Sequence, residues 1–175
     1  MNRFWSAFVD GLDPYVPGEQ PKAIDWIKLN TNENPYPPSP KILSTLSQST
    51  VDSLRLYPDP NSITLKQAMA KNCGVNERQV FAGNGSDEVL ALAFMAFFKQ
   101  SSPILFPDIT YSFYSVYCHL YGIDFKKLPL TNNFNINLND YDQINGGIIF
   151  PNLNAPTGIG LSIGAIQELL KVNTD

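Results

Sequence analysis

The stretch Gly83-Asn84-Gly85-Ser86-Asp87-Glu88, followed at once by the apolar run Val89 to Phe98, decides the fold of this chain. Residues 79–82 before it predict a strand, and the run after it predicts a helix. Glycines at such a turn allow close backbone approach, and a helix start gathers N–H groups at the positive end of the helix dipole. The stretch therefore predicts a phosphate site, provided that the backbone N–H groups face the ligand while the carboxylates of its two acidic residues point away or bind other donors. A helix start that binds no ligand is the alternative that the hexapeptide leaves open.

Short apolar strands alternate with helices along the rest of the chain. Strands are predicted at residues 104–106, 123–128 and 148–150, and helices at residues 87–98, 111–120 and after Ser162. This alternation predicts an α/β fold, in which a mostly parallel sheet lies between helices in a three-layer sandwich. Because residues 89–98 are apolar on every side of the predicted helix, we expect that helix to be buried all round.

The composition disfavours several classes of protein. The chain has 175 residues, 43% of them hydrophobic, so it is long enough to bury a core. A net charge of −4 without a basic cluster disfavours nucleic-acid binding, and no apolar run reaches the length of a membrane span. Cys73 and Cys118 lack metal-ligand spacing, which indicates two reduced thiols in a cytoplasmic protein and no metal site.

Two further turns follow predicted strands, at the carboxyl ends where open α/β sheets bind ligands. Tyr111 follows one strand, and Asn154-Ala155-Pro156-Thr157-Gly158 follows another. The tyrosine ring can stack on a flat cofactor, and an asparagine amide can donate to a phenolate-type oxygen. Together with a phosphate site, these groups match pyridoxal 5′-phosphate. Taken singly, an aromatic residue at such a position is more often part of the core, and the pentapeptide is also consistent with a plain turn.

Five motifs resemble those of histidinol-phosphate aminotransferases, which are fold-type-I pyridoxal-phosphate enzymes. They are Leu29-Asn30-Thr31-Asn32-Glu33-Asn34-Pro35, Leu56-Tyr57-Pro58-Asp59-Pro60, Gly83 to Glu88, Pro107-Asp108-Ile109-Thr110-Tyr111 and Asn154 to Gly158. The resemblance covers nearly the whole chain. It implies amino-group transfer between histidinol phosphate and glutamate or 2-oxoglutarate in histidine biosynthesis, with pyridoxal 5′-phosphate as cofactor, in a cytoplasmic homodimer. It also implies an N-terminal arm with a small-domain segment in residues 1–40 and a partial cofactor-binding large domain in residues 41–175.

The resemblance implies a cofactor-binding role for several matched residues. Gly85, Ser86 and Asp87 match the segment around the cofactor phosphate, and Tyr111 matches the residue that stacks on the pyridine ring. Asn154 matches the asparagine that bonds the phenolic oxygen of that ring. Many relatives read Asn-Asn-Pro-Thr-Gly here, so the alanine after Asn154 is a departure that leaves Asn154 as the candidate in this motif.

Other matched residues belong to the subunit contact and the substrate pocket. Tyr57 matches a tyrosine that reaches the cofactor phosphate of the neighbouring subunit. Four residues match segments that line the substrate pocket: Tyr15, Asn32, Glu33 and Asn34.

The main departure from the family concerns lysine. Members are much longer, and their second half holds the Schiff-base lysine, the aspartate beside the pyridine nitrogen and the arginine for the substrate carboxylate. Transamination needs that amine. No lysine here stands in a motif that resembles the Schiff-base site; the lysines are Lys22, Lys28, Lys41, Lys66, Lys71, Lys99, Lys126, Lys127 and Lys171. The chain is thus expected to be an amino-terminal part that is inactive alone, with an open sheet edge that is a liability unless a partner covers it.

The sequence is also compatible with two other functions. A related pyridoxal-phosphate enzyme, such as a threonine-phosphate decarboxylase or an aromatic aminotransferase, would share these motifs. A non-catalytic fragment that serves binding or assembly would fit the missing lysine.

Overall fold

The structure, a computed structural model, describes residues 4, 6–12, 18–19 and 27–174. The chain divides into two compact units, one formed by residues 1–15 and 85–175 and the other by residues 16–84. The division into domains at residue 40 stays a prediction.

Helices and two short strands are the regular elements of the described residues. The α-helices are α1 (Ala7–Asp10), α2 (Pro40–Leu43), α3 (Gln48–Ser53), α4 (Ile63–Cys73), α5 (Ser86–Ala93), α6 (Phe113–Tyr121) and α7 (Ile163–Val172). The strands are β1 (Ile104–Pro107) and β2 (Phe125–Leu128). A π-helical turn, Phe94–Phe98, continues α5, and short 3-10 helices occupy Glu77–Gln79 and Leu138–Tyr141.

A parallel sheet organises the larger unit. β1 pairs in parallel with β2, and Leu105 of β1 also forms a parallel bridge to Ile148. All four residues of β1 are buried, as expected for a strand covered on both faces. The predicted α/β class with a mostly parallel sheet is confirmed, although the strand expected at residues 148–150 is reduced to this bridge.

Side chains of β1 alternate between two clusters. Ile104 and Phe106 face an aromatic cluster with α6 and the π-helical turn, whereas Leu105 packs with Tyr141 and with Leu169 of α7. This alternation is the period of two that a strand imposes. Helices therefore cover both faces of β1, which gives the layered arrangement that the sequence predicts.

The apolar helix after the glycine stretch is less buried than its sequence indicates. Phe94 is fully buried, but Met95 and Phe97 are 51% and 69% exposed. The expectation of a helix buried all round is therefore wrong. The sequence of this helix shows that its side chains are apolar, but it does not show how many neighbouring elements are available to bury them. In the aromatic cluster, Phe94 packs on rings of α6.

The strand expected at residues 79–82 is also absent. The chain there leaves the 3-10 helix Glu77–Gln79, and the Val80 N–H donates to the Glu77 carbonyl. Phe81 is 60% exposed. A strand needs a neighbour for its backbone hydrogen bonds, and the described residues of this unit form helices and turns only.

Local caps set the ends of several helices. The Ser162 hydroxyl accepts the Ala165 N–H at 3.2 Å, which confirms the predicted start of α7. Gly74 ends α4 with a left-handed φ of 68°, a conformation that favours glycine.

Both cysteines are unpaired, Cys73 exposed and Cys118 buried. Burial raises the pKa of Cys118 to about 12, so this thiol stays protonated at neutral pH. Within the described part of the chain, no helix is both long enough and apolar enough to span a membrane.

Candidate functional site

The start of α5 is an exposed helix terminus. Gly85 occupies the N-cap position and provides no side-chain cap. Its φ of 90° and ψ of 168° lie in a region that is essentially restricted to glycine, and a Cβ placed there would meet nothing within 4 Å. Ser86 and Asp87 follow, and both are exposed. The terminus therefore presents backbone N–H groups and one hydroxyl to an open space.

Two tyrosines of the next helical region hold the first turn of α5. The Tyr111 hydroxyl donates to Asp87 Oδ1 at 2.9 Å, and the Tyr117 hydroxyl donates to the Asp87 carbonyl oxygen at 3.0 Å. Burial, followed by the nearby Asp87 charge, raises the pKa of Tyr117, which keeps its hydroxyl protonated as a donor. The Asp87 carboxylate thus has a donor of its own, which meets, for this residue, the condition that a phosphate site at this helix start requires.

The Tyr111 ring is half-buried and supported by other rings. It packs edge-on against Tyr114, with ring centroids 5.6 Å apart, and lies nearly parallel to Phe113 at 6.0 Å. These contacts and the bond to Asp87 fix a flat aromatic surface next to the start of α5.

Asn154 connects the Pro-Thr-Gly turn to the loop before Tyr111. Its Nδ2 donates to the Ile109 carbonyl at 2.9 Å and to Thr157 Oγ1 at 3.2 Å. Its Oδ1 accepts the Thr110 hydroxyl at 2.8 Å. The Asn154 side chain is 2% exposed, so these bonds are made away from solvent. The Asn154 turn and the loop before Tyr111, which the sequence assigns to one cofactor site, are therefore in contact beyond the carboxyl end of β1.

The remaining predicted site residues that the structure describes belong to the smaller unit. Tyr57 is fully exposed in the smaller unit. Glu33 of that unit accepts a hydrogen bond from Lys28, which lowers the pKa of its carboxyl, while Asn32 has a left-handed φ of 51°. Asn34 Oδ1 accepts the Tyr36 N–H at 3.0 Å. Tyr15 lies outside the described residues.

Sequence reasoning missed two hydroxyl groups of this region. Nothing in the sequence around Tyr117 indicates that it contacts the start of α5, because its hydrogen bond joins residues thirty positions apart. Thr110 sits inside a recognised motif, but its bond to Asn154 spans forty-four positions. Asp108 shapes the same loop, since its Oδ1 accepts the N–H groups of Ile109 and Leu130 at 2.8 and 3.0 Å.

A cleft of about 410 Å³ runs along this loop on residues 106–112, Ser115 and Lys127. It shares residues 108–111 with the contacts above but touches neither the start of α5 nor Asn154. The exposed helix start beside Tyr111 is the part of this region that matches a phosphate site, whereas the cleft lies along the loop to which Asn154 bonds.

Comparisons with known proteins place these motifs in one family. The chain is 61% identical over its whole length to histidinol-phosphate aminotransferase 1 of Methylococcus capsulatus and 59% identical to histidinol-phosphate aminotransferase 2 of Dechloromonas aromatica. It covers 49% and 50% of those two proteins, so the chain spans about half the length of the curated relatives it matches.

The fold agrees with that of solved aminotransferase structures. One, from Erwinia carotovora atroseptica and described as a "putative histidinol-phosphate aminotransferase", matches with a TM-score of 0.70 and 21% identity over 81% of this chain and 42% of its own. The family model for aminotransferase class I and II matches residues 24–175, which include α5, the sheet and the Asn154 turn. The chain therefore belongs to the aminotransferase class I and II family.

Proposed function

We propose that the protein carrying this chain is a pyridoxal-phosphate-dependent aminotransferase. Its reaction exchanges the amino group between histidinol phosphate and glutamate or 2-oxoglutarate, in histidine biosynthesis. The observation that carries the proposal is the 2.9 Å bond from the Tyr111 hydroxyl to the Asp87 carboxylate, which joins an aromatic surface to an exposed helix terminus. The names of the close relatives support the choice of histidinol phosphate.

The residues at this terminus fit a phosphorylated aromatic ring. The backbone N–H groups of Gly85, Ser86 and Asp87, with the Ser86 hydroxyl, would bind the phosphate where the helix dipole is positive. Tyr111 would cover one face of the ring and exclude water from it. The cofactor, when bound, would supply an electron-withdrawing ring that stabilises negative charge on the amino-bearing carbon. Because the Asp87 carboxylate accepts the tyrosine O–H, it is turned towards Tyr111.

The residues of the smaller unit and the arm complete the proposal. We assign Tyr15, Asn32, Glu33 and Asn34 to the substrate pocket, residues 1–40 to the arm and small-domain segment, and residues 41–175 to the large domain. None of the lysines of this chain is assigned to covalent attachment of the cofactor. The unpaired cysteines support a reducing, cytoplasmic location.

Replacing Tyr111 by alanine in the complete protein is expected to weaken cofactor binding by about 1–2 kcal/mol, roughly 5–30-fold, because a stacked ring is lost. Tyr111→Phe keeps the ring and removes the hydroxyl that bonds to Asp87, so a smaller loss is expected. Titration of the apoprotein with pyridoxal 5′-phosphate, followed by absorbance, measures both. An affinity unchanged by the alanine would remove Tyr111 from the cofactor site.

The substrate is tested by offering three compounds to the same complete protein. Amino-group transfer from histidinol phosphate faster than from phenylalanine supports the proposal. Faster turnover of phenylalanine would favour an aromatic aminotransferase, and release of carbon dioxide from a threonine phosphate substrate would favour the decarboxylase.

A homodimer is the proposed assembly, with Tyr57 reaching the cofactor phosphate of the partner subunit. The full exposure of Tyr57 leaves its hydroxyl available for such a contact. Sedimentation of the complete protein should give a dimer, and Tyr57→Phe should weaken cofactor binding severalfold, since one hydrogen bond to a charged phosphate is lost. An active monomer, or full affinity in the variant, would contradict this assignment.

A further inference from the structure

We infer that Asn154 is a positioning residue that holds the loop before Tyr111, and that it is not the donor to the phenolic oxygen of the cofactor. The inference deepens the proposed function and rests on it for its link to the cofactor. Its structural basis is the set of hydrogen bonds around one buried amide.

Every donor of the Asn154 side chain is already used. A primary amide has two N–H donors, and here one meets the Ile109 carbonyl at 2.9 Å and the other meets Thr157 Oγ1 at 3.2 Å. A backbone carbonyl can only accept, so the bond to Ile109 fixes which end of the amide is nitrogen. The oxygen end accepts the Thr110 hydroxyl at 2.8 Å. What remains is acceptor capacity on Oδ1, which is of no use to a phenolate oxygen.

The backbone of Asn154 is held as firmly as its side chain. Its N–H donates to the Ile159 carbonyl, and its carbonyl accepts the Gly158 N–H, both at 2.8 Å. The Pro-Thr-Gly turn is thus closed on itself, with the asparagine at its base. Because the asparagine is fixed at the base of the turn, the residues to which its side chain bonds are held in place relative to the turn.

What it binds is the chain directly before Tyr111. Ile109 and Thr110 are the two residues that precede this tyrosine, and Asn154 bonds to both. On its other side, Tyr111 is tied to Asp87. The aromatic surface is therefore held between the Asn154 turn and the start of α5. Loops without such anchors open at low free energy, which would misplace the ring.

The first test separates positioning from direct binding by changing Thr110 in the complete protein. Thr110→Val removes the hydroxyl and keeps the shape, so pyridoxal 5′-phosphate should bind about 3–10-fold more weakly, as expected for one lost hydrogen bond. Thr110→Ser restores the hydroxyl and should recover affinity to within about 2-fold. Equal affinity in Thr110→Val and the unchanged protein would overturn the inference.

The second test examines Asn154 itself in the protein without cofactor. NMR should show both Nδ2 protons of Asn154 exchanging far more slowly with water than those of the exposed Asn132, and they should keep their shifts when pyridoxal 5′-phosphate is added. Fast exchange would show that an Asn154 donor is available to the cofactor and would overturn the inference. A change in the Nδ2 proton shifts when pyridoxal 5′-phosphate is added, seen also in Thr110→Ser, would overturn it as well.

The inference and the proposed function fail in different ways. Failure of the unchanged protein to bind pyridoxal 5′-phosphate would refute the proposed function, whereas the exchange rates of the Asn154 amide would still decide its role.

Discussion

Replacing Phe94 by alanine is expected to lower the free energy of unfolding by about 3–5 kcal/mol. The Phe94 side chain is fully buried, and its ring centroid lies 5.1 Å from Phe98, 5.8 Å from Tyr114 and 5.1 Å from Tyr117. Truncation therefore removes a large transfer term and leaves a cavity between rings that cannot collapse far. Urea unfolding, followed by circular dichroism, measures the change.

Phe97 provides a matched control for that substitution. It has the same side chain in the same π-helical turn, but it is 69% exposed. Phe97→Ala should change the free energy of unfolding by less than about 0.5 kcal/mol. Equal losses in the two variants would show that burial in the aromatic cluster does not decide stability. Since Tyr117 packs on Phe94 and bonds to Asp87, Phe94→Ala should also loosen the start of α5.

The largest expected effect on cofactor binding comes from Gly85→Ala. At a φ of 90° and ψ of 168°, any other residue is strained by about 1–3 kcal/mol. The added Cβ would meet no atom within 4 Å, so the effect arises from the backbone rather than from a collision. The helix start should relax away from this geometry, and pyridoxal 5′-phosphate should bind roughly 10–100-fold more weakly.

A second glycine supplies the control. Gly164, in the first turn of α7, has no positive φ, and a Cβ there would lie 3.9 Å from Ser162 Oγ. Gly164→Ala should leave cofactor affinity unchanged and raise stability by up to about 1 kcal/mol, because alanine favours helices. If Gly85→Ala folds and binds the cofactor as tightly as the unchanged protein, the start of α5 is not the phosphate site.

Features with a local cause could be predicted from the sequence. Ser162 caps α7 through a bond three residues away, and the apolar run of β1 indicates a strand covered on both faces. The strand expected at residues 79–82 fails because a strand depends on neighbours that its own sequence does not specify. The π-helical turn is missed for a related reason, since its run of apolar side chains fits an α-helix equally well.

The candidate site shows the same limit. Motifs indicate which residues matter, so Ser86, Tyr111 and Asn154 can be named from the sequence. Their partners cannot, because the bonds of Asp87 to Tyr111 and of Thr110 to Asn154 join positions far apart in the chain. Only the three-dimensional structure shows that both N–H donors of the Asn154 side chain are already bonded.

The charge pattern of β2 has a consequence for solubility. Its two central residues are Lys126 and Lys127, and both are exposed. Within the described residues β2 pairs with β1 alone, so its far side offers unpaired backbone groups to any passing strand. A strand of a second molecule that paired there would meet a charged lysine side chain on each face of the edge, which deters edge-to-edge aggregation.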